Sequence, residues 1–109
     1  MKFMLIVLVP LLLQASRAGA GEVYGTITDG TKPVPAGVKV EISASRNVYT
    51  AETDKFGSYR IFVKEKGKCT LTVRTKDQAP SVELYSYDKS TRYDWVLDTN
   101  DGKQSLRRK

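Results

Sequence analysis

The stretch Thr53-Asp54-Lys55-Phe56-Gly57-Ser58-Tyr59 sets the terms on which this chain can fold. It reverses direction within a few residues and is bordered by alternating apolar residues. Downstream, Tyr59, Ile61 and Val63 alternate with Ser58, Arg60, Phe62 and Lys64. That is the two-residue period of a strand with one buried face. An aspartate at a turn start accepts hydrogen bonds from amides two or three residues on, the role expected of Asp54. Gly57 can take φ > 0 without steric penalty. A calcium loop would need further carboxylates at loop spacing, and Lys55 and Phe56 supply none. Asp54 and Gly57 therefore read as structural turn residues.

The same alternation recurs along the chain. Val23, Gly25 and Ile27 share one face of a first strand from Gly21 to Asp29, with Tyr24, Thr26 and Thr28 on the other. Pro33 and Pro35 are expected to keep the next loop out of the ladder. Val38, Val40, Ile42 and Ala44 line a second strand, and Val48 to Thr53 is a third. Ser58 to Lys64 is the fourth. Cys69, Leu71 and Val73 share a face of the fifth, Val82 and Leu84 of the sixth (Ser81 to Tyr87). Tyr93, Trp95 and Leu97 share a face of the seventh, Arg92 to Asp98. Thr99-Asn100-Asp101-Gly102 is a strong turn signal, after which Lys103 to Arg108 either adds an edge strand through Leu106 or frays. No helical periodicity follows residue 20. Seven or eight short strands with regular turns predict an all-β, Greek-key β-sandwich.

The first twenty residues have another character. Lys2 precedes an apolar run from Phe3 to Leu13, and Ala18-Gly19-Ala20 has small residues where signal peptidase requires them. Residues 1–20 read as a secretory signal peptide cleaved after Ala20, leaving one domain over 21–109. The run is shorter than the ~20 apolar residues of a membrane span, so no transmembrane segment is expected in the mature chain. An exported protein, periplasmic or extracellular, is the expectation.

Histidine is absent and Cys69 is the one cysteine. Histidine-ligated zinc, Ser-His-Asp and Cys-His catalysis are excluded on that ground, as are thiolate metal clusters. No cofactor or metal site is indicated. Cys69 shares the face of Leu71 and Val73 and reads as a small core residue. Removing Lys2 and Arg17 with the leader lowers the formal charge from +6 to +4. Arg107-Arg108-Lys109 is the one basic run, either a solvated tail or a contact for an anionic surface such as lipid headgroups or acidic polysaccharide. No nucleic-acid-binding motif is present.

Four segments carry a resemblance. They are Val23-Tyr24-Gly25-Thr26-Ile27-Thr28-Asp29, Pro35-Ala36-Gly37-Val38-Lys39-Val40-Glu41-Ile42, the turn Thr53 to Tyr59, and Gly67-Lys68-Cys69-Thr70-Leu71-Thr72-Val73. In this order they resemble the carboxypeptidase regulatory-like domains, whose sandwich is prealbumin-like (transthyretin-like). The Thr-Asp-x-x-Gly-x-aromatic turn is the most specific match. Cys69 stands where the family usually has an aromatic. The likeness covers about Glu22 to Thr75. It implies a carbohydrate-binding-like fold, in a family where the domain is accessory to a catalytic peptidase domain.

The reading that follows is a secreted or periplasmic binding module without catalysis, its expected ligand a glycan or an envelope component. Candidate ligand-facing aromatics are Tyr24, Phe62, Tyr85 and Tyr87, which point away from the core by strand parity. Outward aromatics also serve simply as cross-strand pairs. The alternative is a structural accessory subunit that binds an envelope protein through an edge strand, Lys103 to Arg108. An enzyme is not expected. Hydroxyisourate hydrolases share the prealbumin-like sandwich but depend on histidines, and Asp94 and Asp98 read as ordinary solvated positions.

Overall fold

The computed structural model describes residues 21–109; the leader expected over residues 1–20 lies outside the described residues. Strands follow in the order β1 (Glu22–Asp29), β2 (Lys32–Pro33), β3 (Lys39–Ser43), β4 (Val48–Glu52) and β5 (Ser58–Phe62). Then come β6 (Gly67–Arg74), β7 (Ser81–Ser86), β8 (Thr91–Arg92), β9 (Trp95–Asn100) and β10 (Lys103–Arg108). No helix of the described residues is long and apolar enough to cross a membrane.

These strands form two sheets. In one, β1 is central. It pairs antiparallel with β5 over Glu22 to Thr26 and with β2 at Thr28 and Asp29. On its other side it pairs in parallel with β8 at Val23 and Tyr24, and with β9 from Ile27 to Asp29. β10 closes this sheet as an edge strand antiparallel to β9. The second sheet runs β4-β3-β6-β7, all antiparallel. The inner faces are those the alternation gives: Val23, Ile27, Val40, Ile42, Leu71 and Val73 are fully buried. Each such side chain stabilises the fold by about 1.5–3 kcal/mol relative to exposure. Cys69 belongs to this core, and burial, followed by the charge of Glu65, pushes its thiol pKa up.

Three expectations change. Lys32–Pro33 joins the ladder of β1, where Pro33 is tolerated because it lies at an edge. The strand expected over Arg92 to Asp98 is two strands, kinked at Tyr93 and Asp94. The kink lies against Gly25: a Cβ there would stand 1.9 Å from the Tyr93 carbonyl oxygen. Arg107 and Arg108 are not a tail but the end of β10. Asp101 and Gly102 both have positive φ, 52° and 78°, the type I′ geometry that matches strand twist and holds β10 on β9.

The Thr53 to Tyr59 turn is held at several points. Asp54 Oδ1 accepts the amides of Phe56 and Ser58, both at 2.9 Å. Gly57 has φ 75°, and its carbonyl accepts the Ile27 amide at 2.8 Å. The Thr53 hydroxyl, buried, accepts from the Val38 amide at 3.0 Å and donates to the Pro35 carbonyl at 2.7 Å. The turn thus fixes both the end of β1 and the loop before β3.

A second set of bonds ties the sheets together. The Tyr59 hydroxyl donates to the Tyr93 carbonyl (2.8 Å) and accepts from Trp95 Nε1–H (3.1 Å). The Tyr93 hydroxyl in turn donates to the Tyr85 carbonyl (2.8 Å) and accepts the Tyr85 amide (3.2 Å) on β7 of the other sheet. The rings of Tyr93 and Trp95 stack at 5.6 Å and 6°. Burial pushes the Tyr59 phenol pKa well above its ordinary value.

Two outcomes test this account. A Cβ at Gly57 would meet the Ile27 carbonyl oxygen at 2.6 Å, whereas Gly102 has nothing within 4 Å. Gly57→Ala should therefore lower stability by about 2–4 kcal/mol, the left-handed penalty plus backbone displacement. Gly102→Ala should cost only the former, about 1–2 kcal/mol, in urea unfolding. Tyr59→Phe should cost about 1–3 kcal/mol by leaving a buried donor and acceptor unpaired. It should also shift the fluorescence of Trp95, the one tryptophan.

Candidate functional site

Tyr24 and Phe62 lie on the outer face of the β1 sheet. Tyr85, on β7, and Tyr87, just beyond it, belong to the outer side of the other sheet. The four candidate aromatics therefore do not make one platform. Parity within a strand tells which way a ring points, but not which sheet it joins.

The β1 face has the more ordered surroundings. Arg60 stands directly across from Tyr24 on β5, and Arg92 directly across from it on β8. Their guanidinium carbons lie 5.3 and 5.9 Å from the Tyr24 ring centre, within cation–π reach. Phe62 is diagonal to Tyr24 across the ladder and is half exposed. The Glu22 carboxylate, buried, pairs with Arg60 and accepts the Ser90 hydroxyl at 2.7 Å.

Asp94 is not the solvated position expected from sequence. Its Oδ1 accepts from the Thr26 amide at 2.9 Å and the Thr26 hydroxyl at 3.0 Å, and its Oδ2 from Arg92 Nε at 3.0 Å. The kink at Tyr93 and Asp94 turns this carboxylate onto β1. Partial burial alone would raise its pKa. The Arg92 guanidinium and the two Thr26 bonds outweigh burial and hold it below the usual carboxylate range. Asp98, further along β9, pairs with Arg107 at 2.6 Å.

The resulting surface is a row of Arg60, Tyr24 and Arg92, with an exposed phenyl ring beside it and two carboxylates locked underneath. It offers hydrogen-bond donors in fixed positions and an apolar ring face. Around Tyr85 the polar groups are looser: Lys68, opposite it, and Glu83 approach only to 4.0 Å and both are exposed. Among the described residues no group of three or more His, Cys, Asp or Glu could hold a metal ion. The sequence reading missed Glu22, Arg60 and Arg92. The signal for Arg60 was its parity with Phe62; the parallel β1–β8 pairing that brings Arg92 in has no local signal.

No family model matches the chain, and no curated protein matches it by sequence. Among solved structures it is similar to 5-hydroxyisourate hydrolase of Klebsiella pneumoniae, with a TM-score of 0.59 at 16% identity. That match covers 82% of this chain and 98% of the hydrolase. The fold is a transthyretin-like β-sandwich. A weaker match, TM-score 0.44 and 14% identity, is to a 9R-lipoxygenase from Cyanothece, covering 91% of this chain and 18% of that one. The hydrolase match corrects one expectation. This sandwich carries an enzyme in a solved structure, so the statement that the chain is not an enzyme does not stand. At 16% identity the likeness concerns fold alone and assigns no reaction.

A depressed carboxylate pKa contributes stability above its unfolded value of about 3.9 and loses it as pH falls through the folded value. Asp94→Asn should therefore be less stable than the wild type at pH 7 by about 0.5–1 kcal/mol, a figure reduced by the exposure of the Arg92 pair. The gap should close as pH falls below about 4, as measured by urea unfolding over a series of acidic pH values.

Proposed function

We propose that this chain is an exported binding module of the carboxypeptidase regulatory-like kind, and that its outer β1 face recognises a glycan. The observation that carries the reading is Phe62, half exposed beside a tyrosine held between two arginines. Sugar rings present apolar C–H faces rimmed by hydroxyls. They are recognised by an aromatic surface with a few placed polar groups around it. Phe62 offers the ring, and Arg60 and Arg92 offer donors whose orientation is already set by Glu22 and Asp94. The Thr53 to Tyr59 turn, with Thr53, Asp54 and Gly57 each given a defined bond, supports the family reading. The sequence of residues 1–20 supports export.

A second reading has its own support. β10 is a formed six-residue strand at the edge of its sheet, so a protein partner could add to it as a further strand.

Affinity electrophoresis through a panel of neutral and acidic polysaccharides tests the glycan reading. Wild-type protein should be retarded by at least one of them, and Phe62→Ala should weaken that retention about tenfold or more. Tyr85→Ala, on the opposite face, should behave as wild type. Retention by none of the polysaccharides, or retention lost in Tyr85→Ala and kept in Phe62→Ala, would overturn it.

A further inference from the structure

The backbone of β10 alternates in direction. The Lys109 amide donates to the Asp94 carbonyl, while the Gln104 amide is turned away from β9. With Lys103 facing Asn100 across the two-residue hairpin, the peptide groups of Gln104, Leu106 and Arg108 point out of the sheet edge. The first part of this edge is already occupied. The Gln78 side chain accepts the Gln104 amide at 2.9 Å through Oε1 and donates to the Gly102 carbonyl at 2.7 Å through Nε2. A carboxamide that bonds the carbonyl of one residue and the amide two residues on does what a residue of a parallel neighbouring strand would do. Gln78 is itself held in place, since its carbonyl accepts the Thr75 amide and hydroxyl, both at 3.0 Å. The edge of β7 on the other sheet is closed in the same manner by the Tyr93 hydroxyl at Tyr85.

Beyond Gln78 the edge is open. Nothing among the described residues takes up the outward amides of Leu106 and Arg108. Around them stand Lys103, Arg107, Arg108 and Lys109, and of these only Arg107 has a carboxylate partner among the described residues. The Arg108 guanidinium lies 4.5 Å over the Tyr93 ring and donates to the Arg92 carbonyl at 3.4 Å, contacts that place it over the kink between β8 and β9 and leave its charge uncompensated by a carboxylate among the described residues. A second copy of this chain is a poor occupant, because antiparallel pairing of two β10 strands would set arginine and lysine against arginine and lysine. Like charges directly opposite are destabilising.

We propose that the Leu106 to Arg108 edge of β10 accepts an extended acidic segment of a partner protein as an added strand, and that Gln78 marks where the added strand must stop. The proposal rests on the edge-strand reading given above and names the partner's chemistry. Only a few backbone hydrogen bonds are on offer, so charge supplies selectivity and the affinity falls as salt rises.

The test uses blocked hexapeptides in which valine alternates with glutamate, threonine or lysine. Each is titrated into the 15N-labelled full chain, with amide exchange followed at Leu106 and Arg108. The glutamate peptide should protect both amides and bind at least about tenfold more tightly than the lysine peptide. Gln78→Ala, which uncaps the earlier half of the edge, should tighten that binding about three- to tenfold. Arg108→Pro, which removes an outward amide, should abolish it, while Arg108→Ala should keep the protection of Leu106. Equal binding of all three peptides, with the amides protected, would overturn the acidic preference and leave the edge-strand reading standing. No protection with any peptide, including in Gln78→Ala, would overturn both.

Discussion

The contact between Gly25 and the backbone of Tyr93 is the constraint on which the rest of this sandwich depends. Only a residue without Cβ lets the chain pass so close to β1, and at that point the seventh expected strand breaks in two. The break aims three groups at once. The Tyr93 carbonyl meets the Tyr59 hydroxyl, the Tyr93 hydroxyl reaches across to β7, and the Asp94 carboxylate turns onto Thr26 and Arg92. Inter-sheet registry and the polar surface of the β1 face therefore have one origin. A polar node inside an apolar core is costly unless every member is bonded, and the Tyr59 hydroxyl here both donates and accepts.

Much of the core was legible because a strand with one wet face must alternate. Val40 and Ile42, Tyr59 and Ile61, Leu71 and Val73, Trp95 and Leu97 all fall inside as the two-residue period requires. The Thr53 to Tyr59 turn was legible because Asp54 and Gly57 satisfy local demands. What escaped was whatever depends on a distant partner. Val96 has outward parity on β9 yet is buried, on the same sheet face as Arg107, its cross-strand neighbour. Thr53 reads as the last residue of a strand, but its hydroxyl holds a loop that precedes it by fifteen residues or more.

The candidate site divides along the same line. Parity gave Tyr24 and Phe62 their outward direction. It could not give the two arginines beside Tyr24, since one arrives through an antiparallel neighbour and the other through a parallel one. Nor could it separate this pair from Tyr85 and Tyr87. Asp94 and Asp98 look alike in sequence and differ in the fold, because the kink carries Asp94 onto Thr26 of β1 while Asp98 pairs with Arg107 of β10. A transthyretin-like sandwich thus supplies the frame, and the identity of its surface is decided by long-range pairing.

The closure of β10 by a single carboxamide has a consequence in time. Where an edge is covered by a strand or a loop, exposing it requires backbone to move, on microseconds or longer. Where it is covered by Gln78, two side-chain hydrogen bonds and a rotamer are all that must change, and such flips take picoseconds to nanoseconds at the surface. The covered edge can therefore open without any movement of the backbone. Its protection against unwanted pairing rests on how rarely it stands open and not on a barrier to opening it.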